Sequence, residues 1–289
     1  MKKNYIYAFL TVIIWGTTAL IAKAILTNIP DLETLAYSSI FACLFFVIFN
    51  SINGSIKELN KYSFKDYSIM AGLGFLGLFL YSAFYYYGIS ELTSQEACII
   101  NYLWPIMLVL FSCILLKEKM TIKKIIALLM SFIGIVVLVS GNHIISDSYA
   151  FIGVVSCILA AACYGLFSVL NKKYDYNQNI SMMVVWVITL VCSFIGGLLT
   201  EQWVVVEGMQ WLGLIWLGVV TDAIAYLLWA LALKDIENSA VIANMAYLVP
   251  FISIVLSAVF LKEKITVNVI FALVLIVGGI LFQSINLKR

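Results

Sequence analysis

The residue with the clearest chemical potential is Asp222, an acid in the centre of the apolar stretch from Trp211 to Leu233. It lies 11 residues from either end of that stretch, so its short side chain cannot reach water at the edge of a bilayer. Because an ionised carboxylate exposed to lipid is costly, the group must face a cavity or a partner. Two interpretations remain open: a carboxylate that binds an ammonium group or carries a proton, and a neutral, hydrogen-bonded carboxyl that joins helices. We favour the first.

Two other charged residues, Lys23 and Glu96, lie within one or two helical turns of the predicted outer edge of the bilayer. Long side chains at that depth can run along the helix and place their charged ends among the lipid headgroups. We therefore predict that both side chains extend to the headgroups.

Aromatic side chains form a second group of candidate binding residues, because many lie in the middle of apolar stretches. An interfacial belt accounts for rings near the ends of a span, such as Trp203 and Trp211. Rings at mid-span can stack on planar molecules and attract cations, although core packing remains an alternative for each of them. The candidate substrate-binding rings are Trp15, Tyr81, Tyr85, Tyr102, Trp104, Tyr164, Tyr226 and Trp229.

Two asparagines and two prolines complete the set of candidates. Asn101 precedes Pro105, and Asn244 precedes Pro250, in two apolar stretches of opposite halves of the chain. Each proline removes a backbone hydrogen bond and frees a carbonyl group. A simple kink and a symmetric pair of kinks that open and close two vestibules are both compatible with this pattern. We include both asparagines among the binding residues and treat both prolines as kink or gating positions.

The sequence lacks the residue sets that catalysis or metal binding requires. The single histidine, His143, lies in a predicted outer loop, and the six cysteines lie in apolar stretches without CxxC spacing. No HExxH or P-loop pattern occurs, so nucleotide-driven pumping is not indicated either. We expect no catalytic residue, no metal and no cofactor, and we predict that the chain is not an enzyme.

The composition determines which elements must position these residues. Hydrophobic residues make up 64% of the chain and charged residues 11%, against about 25% charged residues in a soluble domain. The sequence therefore predicts an all-α integral membrane protein, because backbone groups in lipid must be satisfied within helices. The ten predicted transmembrane helices are Tyr5–Leu26, Leu32–Phe49, Tyr67–Gly88, Glu96–Leu116, Ile122–Ser140, Tyr149–Leu170, Met182–Leu199, Trp211–Leu233, Ala240–Leu261 and Val267–Phe282.

An internal repeat relates the two halves of the chain. Leu103-Trp104-Pro105 and Lys117-Glu118-Lys119 recur 145 positions later as Leu248-Val249-Pro250 and Lys262-Glu263-Lys264. A duplicated five-helix module explains this spacing, and such duplications are common in secondary transporters.

The distribution of basic residues predicts the orientation. With the N-terminus placed in the cytoplasm, alternate loops collect 14 Lys and Arg residues on the inner side and 3 on the outer side. Both termini are then cytoplasmic, in a multi-pass protein of the inner (plasma) membrane. Since five helices per half is an odd number, residues 145–289 enter the membrane from the side opposite to residues 1–144. We predict these as two inverted repeats, with the lipid bilayer and a small-molecule substrate as partners, no nucleic acid, and a monomer as the simplest state.

The chain resembles the drug/metabolite transporter superfamily, and within it the EamA-type transporters with two five-helix repeats. The resemblance covers nearly the whole chain and rests on Trp15-Gly16, on Pro105 and Pro250, and on the two Lys-Glu-Lys segments at 117–119 and 262–264. The segment from Asn101 to Pro105, Asn-Tyr-Leu-Trp-Pro, is similar to a motif of the aromatic amino-acid exporter branch. The resemblance implies ten helices around a central cavity and efflux of amino acids or related metabolites.

Together these observations predict a secondary transporter that exports small metabolites by alternating access, with aromatic or other neutral amino acids as the first expectation. The alternative cargo is a hydrophobic cation or drug, which the same rings and one acid would attract. A channel, a receptor and a scaffold are weaker alternatives, because an inverted repeat favours alternating access.

Overall fold

The computed structural model describes residues 2–140, 147–174, 176–233 and 244–284, and within them all side chains except those of Lys2, Lys172, Leu233, Asn244, Gln283 and Ser284. Throughout these ranges the regular structure is helical, without a strand. His143 and the predicted start of the ninth helix, Ala240, lie outside the described residues.

Eight of the described helices are long and apolar enough to cross a membrane, and two shorter apolar helices follow them. Their ends lie within a few residues of the predicted ends wherever both are described. In chain order the segments are α1 Lys3–Leu26, α2 Asp31–Ile52, α3 Phe64–Glu91, α4 Ser94–Leu115, α5 Ile122–Val139, α6 Ser148–Asn171, α7 Gln178–Thr200, α8 Met209–Ala232, α9 Met245–Phe260 and α10 Val267–Phe282.

The distribution of side chains is that of a protein dissolved in lipid. Large apolar residues face outward, with Leu199 79% and Phe132 67% exposed. Serine and threonine are buried between helices, as at Ser38 and Thr189, where each hydroxyl bonds to a backbone carbonyl of its own helix. Small hydroxyl residues permit close helix approach without leaving a polar group unpaired in lipid.

Several of these segments are not continuous α-helices. The segment α1 divides at Thr17 into Lys2–Gly16 and Thr18–Leu26, and α4 divides into Ser94–Asn101 and Trp104–Leu115. The segment α9 begins with a short 3-10 helix, Asn244–Leu248, and continues as Val249–Phe260. Pro105 and Pro250 each occupy the first turn of the helix that follows the interruption, where a missing N–H costs nothing.

Two segments contain a π-helical stretch near their middle. In α3 it spans Phe75–Leu80, and in α8 it spans Trp216–Ile224. Such stretches rotate the residues beyond them relative to a regular α-helix, and they are frequent at functional sites. Both stretches lie in the third helix of their respective halves.

The two Lys-Glu-Lys segments form the same turn. Lys117 has φ 55° and Lys262 has φ 58°, and they are the non-glycine residues with positive φ in the described ranges. In both copies the N–H three residues beyond the helix end, that of Glu118 or Glu263, donates to a serine carbonyl at 3.4 Å. This is the left-handed termination that satisfies the last carbonyls of a helix. The repeat seen in the sequence is therefore a repeat of local structure.

Helix packing has the same symmetry. The principal pairs are α1 with α8, α3 with α6, α2 with α7, α5 with α10, α4 with α6, α1 with α9, α3 with α7, and α2 with α8. Exchanging the first five helices for the last five maps this set of pairs onto itself. Every one of these pairs joins the two halves, so the halves interlock and are not separate packing units.

Candidate functional site

A cavity lies at the centre of the helix bundle, where α1, α3, α4, α6, α8 and α9 meet. It is narrow, with a volume of about 90 Å³. The residues that line this central cavity are Trp15, Thr18, Tyr81, Ser82, Tyr85, Tyr86, Cys98, Asn101, Tyr102, Trp104, Tyr164, Thr221, Asp222, Tyr226 and Val249.

Nine of the eleven predicted binding residues lie in this lining. They are Trp15, Tyr81, Tyr85, Asn101, Tyr102, Trp104, Tyr164, Asp222 and Tyr226. Of the other two, Trp229 lines an adjoining cavity, and the Asn244 side chain lies outside the described part of the structure.

The sequence prediction missed Thr18, Ser82, Tyr86, Cys98, Thr221 and Val249. Helical periodicity could have found several of them. Cys98 precedes Asn101 by three residues and therefore lies on the same face of α4, and Ser82 precedes Tyr85 by three residues on α3. Val249 has no such signal, because an apolar residue in an apolar stretch is not distinguishable by type.

The π-helical stretches place polar groups in the cavity. Thr221 and Asp222 lie inside the stretch of α8, and Tyr81 directly follows the stretch of α3. The Asp222 Oδ2 atom is buried and, within the described residues, accepts no hydrogen bond. The carboxylate therefore lies inside the protein, as its depth in the sequence predicts. Among the described side chains, no basic residue forms an ion pair with it.

Asn101 leaves a second acceptor oxygen unused. Its Nδ2 donates to the Tyr81 hydroxyl at 3.2 Å, which fixes the amide, while its Oδ1 is buried without a partner in the described ranges. A buried acceptor without a donor costs about 1–3 kcal/mol. The central cavity is therefore suited to a ligand or a water molecule that donates hydrogen bonds. An ammonium group is such a donor.

The aromatic residues form two ring clusters beside these oxygens. In the first, Trp15 lies 5.5 Å from Tyr226 and 5.4 Å from Trp229, measured between ring centroids. In the second, Tyr164 lies 4.9 Å from Tyr81 and 5.2 Å from Trp104. Core packing, the alternative reading of these rings, thus accounts for part of their contacts, and their remaining surfaces line the cavity.

Tyr102 uses its hydroxyl group for structure. The hydroxyl donates to the carbonyl oxygen of Ala246, at the interruption that precedes the main part of α9. This bond ties the interrupted region of α4 to the equivalent region of α9, so Tyr102 presents its ring, and not a free hydroxyl, to a ligand.

A larger cavity, the vestibule, adjoins the central cavity and has a volume of about 560 Å³. The two share Trp104, Tyr164 and Tyr226. The vestibule continues past Pro105, Trp229 and Tyr247 to the junction between α6 and α7, where it is lined by the polar side chains of Asn171 and Gln178.

The opposite end of the central cavity is sealed by polar contacts. Lys23 Nζ donates to the carbonyl oxygens of Ile89, Ser90 and Leu92, each at 2.8 Å, and so caps the end of α3. Glu96 is 5% exposed and accepts bonds from the Thr93 N–H at 3.1 Å and hydroxyl at 2.8 Å. The prediction that Lys23 and Glu96 extend to the headgroups was wrong, because helix ends inside the protein offer both charges closer partners.

Comparison with known proteins identifies the family. The profile of the EamA-like transporter family matches residues 2–140 and 151–285. The chain belongs to this family. It is therefore a multi-pass membrane transporter, as the resemblance implied.

Two of the relatives of this EamA-like transporter align with nearly all of it, and a third aligns with three quarters of it. The uncharacterized transporter YoaV of Bacillus subtilis is 26% identical over 96% of this chain and 95% of its own length. The aromatic amino acid exporter YddG of Ancylobacter novellus is 28% identical over 75% of this chain and 76% of its own. A probable amino-acid metabolite efflux pump of Escherichia coli is 22% identical, with 99% and 96% covered.

A solved crystal structure has the same fold. It aligns with a TM-score of 0.69 at 22% identity and covers 98% of this chain and 97% of its own. The arrangement of helices is therefore one that a crystallised protein also adopts.

Proposed function

We propose that this transporter exports neutral amino acids, with aromatic ones preferred, by alternating access. The proposal rests on one observation. A single cavity, open at one end and sealed at the other, combines two unused acceptor oxygens with two ring clusters. The names of the amino-acid exporters among its relatives agree with this cargo.

The sizes of the two cavities suggest how such a substrate lies. Ligand sites are commonly 300–1,000 Å³, so the central cavity of about 90 Å³ accommodates an amino group but not a whole aromatic amino acid. The ammonium would donate to Asp222 and Asn101 Oδ1. The ring would extend into the vestibule between Trp104 and Trp229.

The expected affinity is weak. Each good ring contact contributes about 1 kcal/mol, and part of the ring surface is already used between the aromatic residues themselves. Dissociation constants near 1 mM, which correspond to about 4 kcal/mol of binding free energy, suit a carrier that must release its cargo.

A hydrophobic cation is the second candidate cargo, and one observation favours it. Among the described residues that line the two cavities there is no lysine or arginine to receive a substrate carboxylate. In the pose proposed above, the carboxylate instead points along the vestibule toward Asn171 and Gln178 and stays hydrated.

The architecture that we propose is ten transmembrane helices in two inverted five-helix repeats, residues 1–144 and 145–289. The symmetric helix pairs and the matched turns at Lys117 and Lys262 support it. With both termini in the cytoplasm, as the basic residues predict, the vestibule opens inward in the conformation described. The proposed location is the plasma membrane, and the proposed working unit is a monomer with a small-molecule substrate.

Competition for transport separates the two cargoes. Phenylalanine and tryptophan are expected to inhibit the flux of a labelled aromatic amino acid, whereas their methyl esters, which keep the amine and lose the carboxylate, are not. If the esters or quaternary ammonium compounds compete better than the amino acids, the protein is a cation carrier.

A further inference from the structure

The sealed end of the cavity contains a contact between the halves that the transport site itself does not need. The Glu263 carboxylate, in the loop after α9, lies on the first turn of α4. Its Oε1 accepts the N–H of Ser94 at 2.8 Å, and its Oε2 accepts the Gln95 N–H at 3.2 Å and the Ser94 hydroxyl at 3.0 Å. A carboxylate at a helix N-terminus is favoured both by the free N–H groups and by the helix dipole.

This contact is partly buried and lies directly above the central cavity. Ser94 is 0% and Gln95 1% exposed. One turn further along α4, Cys98 lines the cavity, and Asn101 follows after another turn. The carboxylate therefore holds the segment of α4 that separates the cavity from the nearer surface.

The matched residue of the first half, Glu118, is in a different state. It occupies the same turn, one residue after Lys117, but its side chain is 48% exposed and pairs with Lys124 Nζ at 3.1 Å. The two copies of one turn thus differ in what their glutamate binds. The two ends of the cavity differ in a corresponding way: the end beside Glu263 is sealed, and the other end is open.

We propose that the Glu263 carboxylate is a latch, which holds the cavity shut on the side of the 262–264 loop and must leave the N-terminus of α4 before that side opens. The proposal rests on the alternating access proposed above. After release, water molecules form hydrogen bonds with the Ser94 and Gln95 N–H groups and with the carboxylate. The exchange is reversible because protein–water hydrogen bonds replace most of the lost interaction.

Cys98 provides a native reporter of opening. The experiment uses the full chain in membrane vesicles of known orientation, with Cys43, Cys113, Cys157, Cys163 and Cys192 replaced by alanine. A membrane-impermeant methanethiosulfonate is added on one side at a time, and the rate of Cys98 modification is measured. In Glu263→Gln, the rate from the side of the 262–264 loop should rise roughly tenfold, as expected for weakening a charged hydrogen-bond pair.

Two matched variants control for the loss of a helix cap and for the loss of a charge. Glu201→Gln removes a similar cap on the same side of the protein, where Glu201 accepts the Leu32 N–H at 2.9 Å and the Glu33 N–H at 3.0 Å. That cap lies on α2, which does not line the cavity, so the rate should not change. Glu118→Gln should not raise the rate from the 262–264 side either.

The outcomes separate the latch from the transport proposal. If Cys98 of the parent protein reacts at equal rates from both sides, the cavity is not open to one side alone. Alternating access from this conformation is then wrong. If the parent reacts from the vestibule side alone and Glu263→Gln leaves this unchanged, only the latch is wrong. A rise by the same factor from both sides in Glu263→Gln also overturns the latch, because Glu263 would then be needed for the fold as a whole and not for closure of one side. Ser94→Ala, which removes one of the three donors, should raise the rate in the same direction by a smaller factor.

Discussion

At the scale of single residues, Asp222 is the group on which substrate recognition depends most. Asp222→Asn keeps the size of the side chain and removes its charge, so flux of an amine substrate should fall by at least about tenfold, the effect of one charged hydrogen bond. Thermal unfolding should be nearly unchanged, because within the described residues Asp222 Oδ2 bonds to no protein donor. Initial flux and unfolding are measured on the same preparation.

Glu207→Gln is the matched control for Asp222→Asn, because Glu207 is an exposed carboxylate in the loop before α8. Its flux should equal that of the parent. A fully active Asp222→Asn protein would mean that the carboxyl is a neutral structural group, the interpretation that we set aside from the sequence.

Lys23 carries the second prediction at this scale. Lys23→Met removes the donor for three carbonyl oxygens at the end of α3, which should lower the free energy of unfolding by about 2 kcal/mol or more. The exposed Lys65 gives the control Lys65→Met, with no expected change. An unchanged melting temperature for Lys23→Met in detergent would support an unbonded, headgroup-directed lysine instead.

The sequence reveals the depth of a residue in the membrane but not its partner. Depth was sufficient to select Asp222 and most of the cavity rings. It was insufficient for Lys23 and Glu96, whose partners are the ends of helices. Lys23 bonds to carbonyl groups more than 60 positions away, and no local pattern encodes that contact.

At the scale of elements, close approach of α8 to α2 positions the π-helical stretch that holds Asp222. A Cβ atom at Gly218 would overlap the Ser38 carbonyl oxygen and lie 2.8 Å from the Phe41 Cβ. Gly218→Ala should therefore destabilise the protein by about 1–3 kcal/mol, the usual effect of overpacking, and lower its melting temperature.

Gly72→Ala is the matched control for Gly218→Ala, because Gly72 also lies in a membrane helix and a Cβ there would meet no atom within 4 Å. That variant should be neutral or slightly stabilised, since alanine is the better helix former. Equal melting temperatures for the two variants would contradict the close contact between α8 and α2.

Helix positions were predictable because long apolar stretches have one stable conformation in lipid. The interruptions were predictable only in part. Pro105 and Pro250 indicated two of them, although they start new helical segments and do not merely bend continuous ones. The π-helical stretches Phe75–Leu80 and Trp216–Ile224 contain no proline, and their sequence does not distinguish them from a regular helix.

At the scale of the whole molecule, the repeat was readable from the spacing of Pro105 and Pro250, but the way the halves combine was not. The principal helix pairs all join one half to the other. The direction in which the cavity opens was also beyond the sequence, because an inverted repeat is compatible with two packings of similar energy.

Counterflow tests the central claim most directly. Purified protein in liposomes loaded with unlabelled phenylalanine is diluted into labelled phenylalanine, and uptake of the label is followed over time. A carrier with one alternating site should accumulate the label transiently, with uptake that saturates near millimolar concentrations, and Asp222→Asn should abolish the overshoot. Uptake that rises linearly with concentration and does not depend on the phenylalanine inside would contradict alternating access and identify a channel.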